Sequence, residues 1–239
     1  MKMNFRFFLI LTVLVVSVTG CRFNLTLEGN GDLVTEERLL SYFNEVNSGG
    51  NFRVNVIPGE TNKVVIHAES NLLPYITTSV SGKELDIEVK GLHILDPSFP
   101  VVIDVETPLL KAACQSGSGE LNAGEFQTTN FKVTESGSGN VTCKVDCETM
   151  EVNLSGSGQV VLEGSAAEGD FTISGSGSIA AYDFPVDVCK ASISGSGCIY
   201  IHSLDILNAS ISGSGSVYYH GDPHVSYSIS GSGRVTKGR

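Results

Sequence analysis

The chain has 239 residues, 41% of them hydrophobic, and carries 15 Lys and Arg against 26 Asp and Glu, a net charge of −11. That hydrophobic share excludes intrinsic disorder, and the length allows one or two domains with a buried core. So acidic a chain lacks the clustered cations that phosphate binding needs, so nucleic acid is not an expected partner.

Residues 1–20 stand apart. Lys2 and Arg6 precede an apolar run from Phe7 to Val16, and small residues lead to Cys21. The run is too short to span a bilayer and reads as an export signal. Val18-Thr19-Gly20-Cys21 resembles the lipobox of bacterial lipoproteins, which implies cleavage before Cys21 and acylation of its thiol. Two or three acyl chains suffice for stable anchoring, whereas one is marginal. Membrane attachment through Cys21 is therefore expected. Arg22 stands where, in the enteric sorting rule, Asp would retain a lipoprotein at the inner membrane, so the outer membrane is the expected site, on either face.

Residues 21–32 read as a tether. Residues 33–110 form a β region without the later repeat. "LVTEERLLSYF", from Leu33, could be a short amphipathic helix but is read as an extended strand. "FRVNVI", "KVVIHA", "ELDIEV" and "VVIDVE" alternate in the manner of strands. Ser48-Gly49-Gly50-Asn51, Pro58-Gly59, Ser81-Gly82 and Asp96-Pro97 separate them as turn signals. This region is expected to cap or begin a solenoid formed by the rest of the chain.

From residue 111 to 239 the tetrapeptide SGSG recurs seven times, beginning at Ser116, Ser136, Ser155, Ser174, Ser194, Ser212 and Ser230. The spacing is 18 to 20 residues, too regular for a linker. Five residues after each first Ser stand Leu121, Val141, Val160, Ile179, Ile199, Val217 and Val235, all aliphatic. One residue before it stand Gln115, Glu135, Leu154, Ile173, Ile193, Ile211 and Ile229. Alternation on both sides of the tetrapeptide marks half-buried strands, and a period near nineteen marks the coil of a solenoid. The expected fold is all-β: a right-handed parallel β-helix of about 19-residue coils. SGSG forms its corners, with Gly156, Gly175, Gly195 and Gly213 in one stacked column. Val160 and Ile179 are expected inside. Stacked serines could bond along the corner.

"GNGDLVTEER" at Gly29, "SYFNEV" at Ser41, "NLLPYI" at Asn71 and the recurring SGSG together resemble the head GIN domain family, over roughly Leu33 to Val235. That resemblance implies an exported protein, often a lipoprotein of Gram-negative bacteria, with a β-helix-like fold. It brings an adhesin label and no catalytic residues.

Six cysteines include Cys21, which leaves Cys114, Cys143, Cys147, Cys189 and Cys198. An oxidising compartment permits disulfides, but the count is odd and the pairing open. Buried thiols acting as small apolar residues are the simpler reading. Acids such as Asp146, Glu148, Glu163, Glu168, Asp170, Asp183 and Asp187 lie between the strand columns and read as solvated surface. No catalytic triad or metalloprotease motif occurs, so neither an enzyme nor a cofactor is expected.

The most suggestive surface is aromatic. Tyr200 and Tyr218 share one outward column, and His202 and His220 share the next, with Tyr182 in the histidine column one coil earlier. Exposed aromatics could bind a glycan or a partner protein. His202, His220 and His224 with Asp222 form a weaker candidate for a transition metal. Ordinary cross-strand stacking is the plainer alternative. The leading function is a lipid-anchored, non-enzymatic interaction or adhesion surface of the cell envelope. The alternatives are a glycan-binding or polysaccharide-degrading protein and a structural envelope element.

Overall fold

The computed structural model describes residues 25–238. The signal segment and Cys21 lie outside them. Eighteen strands succeed one another in chain order: β1 (Thr26–Glu28), β2 (Leu33–Leu39), β3 (Glu45–Gly50), β4 (Arg53–Pro58), β5 (Lys63–Glu69), β6 (Ile76–Ser81), β7 (Glu84–Val89), β8 (Ile94–Asp96), β9 (Val102–Thr107), β10 (Ala112–Gly117), β11 (Glu120–Gly137), β12 (Asn140–Gly156), β13 (Gln159–Gly175), β14 (Ser178–Gly195), β15 (Cys198–Gly213), β16 (Ser216–His220), β17 (His224–Gly231) and β18 (Arg234–Lys237).

Strands β10 to β18 wind as a parallel solenoid of about 19-residue coils, so that each coil lies in register on the one before it. Val141 pairs with Val160, Val160 with Ile179, Ile179 with Ile199 and Ile199 with Val217. These side chains are fully buried, as alternation requires. Phe131, Phe171 and Phe184 are among the largest side chains buried in the interior. Each buried aliphatic or aromatic side chain contributes roughly 1.5–3 kcal/mol. Packing along the axis, repeated coil after coil, holds the fold together.

The SGSG tetrapeptides are the corners. The first Gly of each has a positive φ, between 113° and 144°, which side-chain-bearing residues rarely adopt. A Cβ on Gly195 would sit 2.4 Å from the carbonyl oxygen of Gly175 in the coil below. The close approach serves hydrogen bonding: Ser196 N donates to Gly175 O at 2.9 Å, and Cys198 N donates to Gly177 O at 3.1 Å. The ladder thus crosses the corner unbroken. The expected serine–serine bonds along the column are not found among the described residues, and main-chain bonds carry the corner instead.

The N-terminal region both begins and caps the solenoid. Strands β3 and β4 form a first coil beneath β10 and β11, with Gly50 under Gly117 and sharing its positive φ. Beneath that coil lie β7 and β9, although they come later in the chain. Antiparallel β6, β5 and β2 then end the parallel ladder. The Arg38 guanidinium, from β2, donates to Ile76 O and to Thr78 Oγ1 on β6, joining the two capping strands. Leu33–Leu39 is a strand, as its sequence suggests, and ahead of it β1 pairs in parallel with β8.

Candidate functional site

Strands β15 and β16 position the aromatic cluster. Ile199, Ile201 and Val217 claim the core, so Tyr200, His202, Tyr218 and His220 point outward. Tyr200 is in register with Tyr218, and His202 with His220. The two tyrosine rings stack with centroids 5.2 Å apart and planes 11° from parallel. The two histidine rings meet edge to face at 6.4 Å.

Tyr182 departs from the simple column. The register of β14 on β15 shifts between Ala181 and Pro185, so Pro185 occupies the place opposite His202. Tyr182 stands in the resulting bulge, while Phe184 turns into the core. Its ring reaches across the next coil and stacks on His220, with centroids 3.9 Å apart and planes 7° from parallel. It also meets Tyr200 edge-on at 5.6 Å. The main chain of Gly238, whose N–H donates to Tyr219 O, lies against the His220 and Tyr182 rings. The cluster is therefore a half-buried ridge, not a row of freely exposed rings. Burial, reinforced by neighbouring Tyr200 and Tyr218, raises the Tyr182 phenol; burial beside Cys198 and Tyr218 raises that of Tyr200. Both stay neutral donors at physiological pH.

The four residues of the metal candidate do not converge. His220 lies beside His202, whereas His224 opens β17 beside Ile206, beyond the interruption of the ladder at residues 203–205. Asp222 is ion-paired with Lys237, which lowers its carboxyl. Among the described residues no group of three or more His, Cys, Asp or Glu side chains is placed to hold a metal ion.

Other surfaces of the described residues carry grooves. One of about 460 Å³ crosses β12 to β15 and is lined by Glu151, Glu168, Asp170, Lys190 and Asn208, among others. Its acids are largely engaged: Lys132 Nζ donates to Glu151 at 2.9 Å and Lys190 Nζ to Asp170 at 2.7 Å. The Lys132 contact, with Asn153, holds Glu151 below the usual carboxylate range. Glu135 is the reverse case, pushed by burial up to about 7, but it is sealed inside the first SGSG corners, where no substrate reaches it. The five described cysteines are free thiols. Burial raises Cys143, Cys189 and Cys114 above the ordinary value and Cys147 to about 12, so these four are poor nucleophiles.

Sequence counting brings Tyr200, Tyr218, His202 and His220 together correctly. It misses the three-residue bulge that carries Tyr182 over His220. The spacing of 20 residues before Ser194, against 18 after it, is the available signal.

A family described as "Putative auto-transporter adhesin, head GIN domain" matches residues 42–223. Among solved structures, a "putative adhesin" from Bacteroides fragilis NCTC 9343 superposes with a TM-score of 0.84 at 23% identity, covering 88% of this chain and 99% of its own. A "putative lipid binding protein" from Parabacteroides distasonis ATCC 8503 gives 0.77 at 26% identity, covering 90% and 100%. A "putative adhesin" from Parabacteroides merdae ATCC 43184 gives 0.75 at 25% identity, covering 90% and 99%. No curated protein matches the chain.

Proposed function

This chain belongs to the head GIN domain family, and from that premise we propose that it is a non-enzymatic adhesion protein of the cell envelope. It is held by acylated Cys21 in the outer membrane and presents the flank of its solenoid to a partner. The observation that carries the reading is the aromatic ridge of Tyr182, Tyr200, Tyr218 and His220, fixed on a rigid β scaffold. Preorganised rings lose little entropy on binding. The adhesin description of the family and of two neighbours of like fold agrees with it.

The ridge also favours a glycan as the partner. The stacked rings present partly exposed apolar edges beside their hydroxyl groups, which suits the mixed apolar and polar surface of a sugar. A glycan array with the full chain and with Tyr200→Ala/Tyr218→Ala tests this. Binding by the native chain that falls at least tenfold in the double variant supports the glycan reading. Equal binding by both moves recognition off the ridge, and no binding to any glycan leaves a protein as the partner.

A further inference from the structure

The N-terminal region exposes several aliphatic side chains, Leu33, Leu39 and Ile57 among them, but two stand beside the start of the described chain. Leu92, just before β8, is 81% exposed and Ile94, at its start, 62%. The two stand only two positions apart, so that two largely exposed aliphatic side chains fall close together.

The position of these residues relative to the chain's start explains them. Ile94 N donates to Leu25 O at 2.9 Å, and Thr26 is in register with Ile94. Cys21 is only four residues before Leu25, a reach of about 14 Å at full extension. The lipid attachment point thus cannot lie far from Leu92 and Ile94. The pairing is parallel, so β1 and β8 both run away from that point. Aliphatic residues stand at the near end and the exposed acids Glu28 and Asp96 at the far end.

The segments that follow the two strands are also tied together. Buried Glu69 accepts from Gly31 N at 2.5 Å and from Ser98 N at 2.8 Å, tying the segment after β1 to the segment after β8. Asn71 Nδ2 donates to Glu28 O at 2.7 Å. A short leash and a fixed apolar corner would give the molecule one orientation on a surface.

We propose that Leu92 and Ile94, with Leu25 beside them, seat in the lipid bilayer that holds Cys21. The cap then stands on the membrane, the solenoid axis points away from it, and the aromatic ridge is carried outward. The proposal rests on the lipid-anchored function proposed for the chain. Its occupant is the bilayer itself, whose hydrocarbon boundary takes aliphatic side chains.

The chain has no Trp, which makes a single introduced one a clean reporter. The full chain carrying Leu92→Trp is reconstituted in vesicles of phosphatidylethanolamine and phosphatidylglycerol, 3:1, with brominated acyl chains. Intact mass reads acylation of Cys21 separately. Tyr227→Trp, several coils away in β17, is the control; at ~4.8 Å per coil it stands some ~25 Å or more from the bilayer. Expected are a blue shift and at least twofold quenching at position 92, with neither at 227. Ile94→Asp in the Leu92→Trp chain should abolish the quenching. Equal, weak quenching at both positions in an acylated chain overturns the docking while leaving the anchor intact. An unacylated chain that still shows quenching at 92 alone upholds the docking without the anchor, and one that shows none removes both.

Discussion

Replacing Glu135 with Gln should stabilise the protein, and only above the acid range. Glu135 occupies the inward column before SGSG, where later coils place Leu154, Ile173, Ile193 and Ile211. One oxygen accepts from Gly139 N at 2.9 Å; the other is buried without a partner, as is Oε1 of Gln115 on the adjoining rung. Burial outweighs the Gly139 bond and raises the carboxyl from 4.5 to about 7. A group whose folded pKa is raised contributes its full stability below pH 4.5. Between 4.5 and 7 the unfolded chain releases the proton while the folded chain keeps it, so stability falls as pH rises, then levels off. At 1.36 kcal/mol per unit, the loss is at most about 3 kcal/mol. Urea denaturation from pH 4.5 to 8 measures it. The Glu135→Gln midpoint should draw ahead of the native one through this window, by up to about 1 M at pH 8 for a urea slope near 3 kcal/mol/M. Parallel pH profiles for the two proteins would refute the buried, protonated carboxyl.

Gly195→Val places a Cβ 2.4 Å from Gly175 O at a φ of 129° and should cost about 3 kcal/mol or more in a thermal melt. Ser194→Ala beside it, on an exposed side chain, should stay within about ±0.5 kcal/mol; a harmless Gly195→Val would mean that the corner tolerates side chains. Val160→Asp puts an unpaired charge in the axial column and should leave no cooperative unfolding transition by circular dichroism. Cys21→Ser should abolish labelling by a fatty-acid analogue and release the protein from the detergent phase; retained labelling would remove the anchor.

The solenoid is legible because a coil repeats the same burial problem: residues such as Val141, Val160 and Ile179 must answer it identically, and sequence preserves the beat. Where the environment stops repeating, the sequence says less. Ser48-Gly49-Gly50 reads as a turn, yet Gly50 lies directly under Gly117 as a further member of the corner column. Nothing local reveals this, because β7 and β9 stack beneath β3 and β4 out of chain order. Gln115 and Glu135 look like polar gaps in an apolar column; they are polar residues held in the core, since the backbone register leaves their side chains no other place. For the ridge, alternation suffices to pair Tyr200 with Tyr218. It cannot place Tyr182, because a bulge breaks the period on which counting depends.

An adhesion protein must face outward, and the most direct test of that claim is protease shaving of intact cells. With the chain expressed natively, external proteinase K should remove the folded domain from the cells while a periplasmic marker stays whole. The Tyr200→Ala/Tyr218→Ala chain should be removed equally, since the ridge takes no part in anchoring. A domain that resists digestion until the outer membrane is permeabilised would place the ridge in the periplasm and contradict the account.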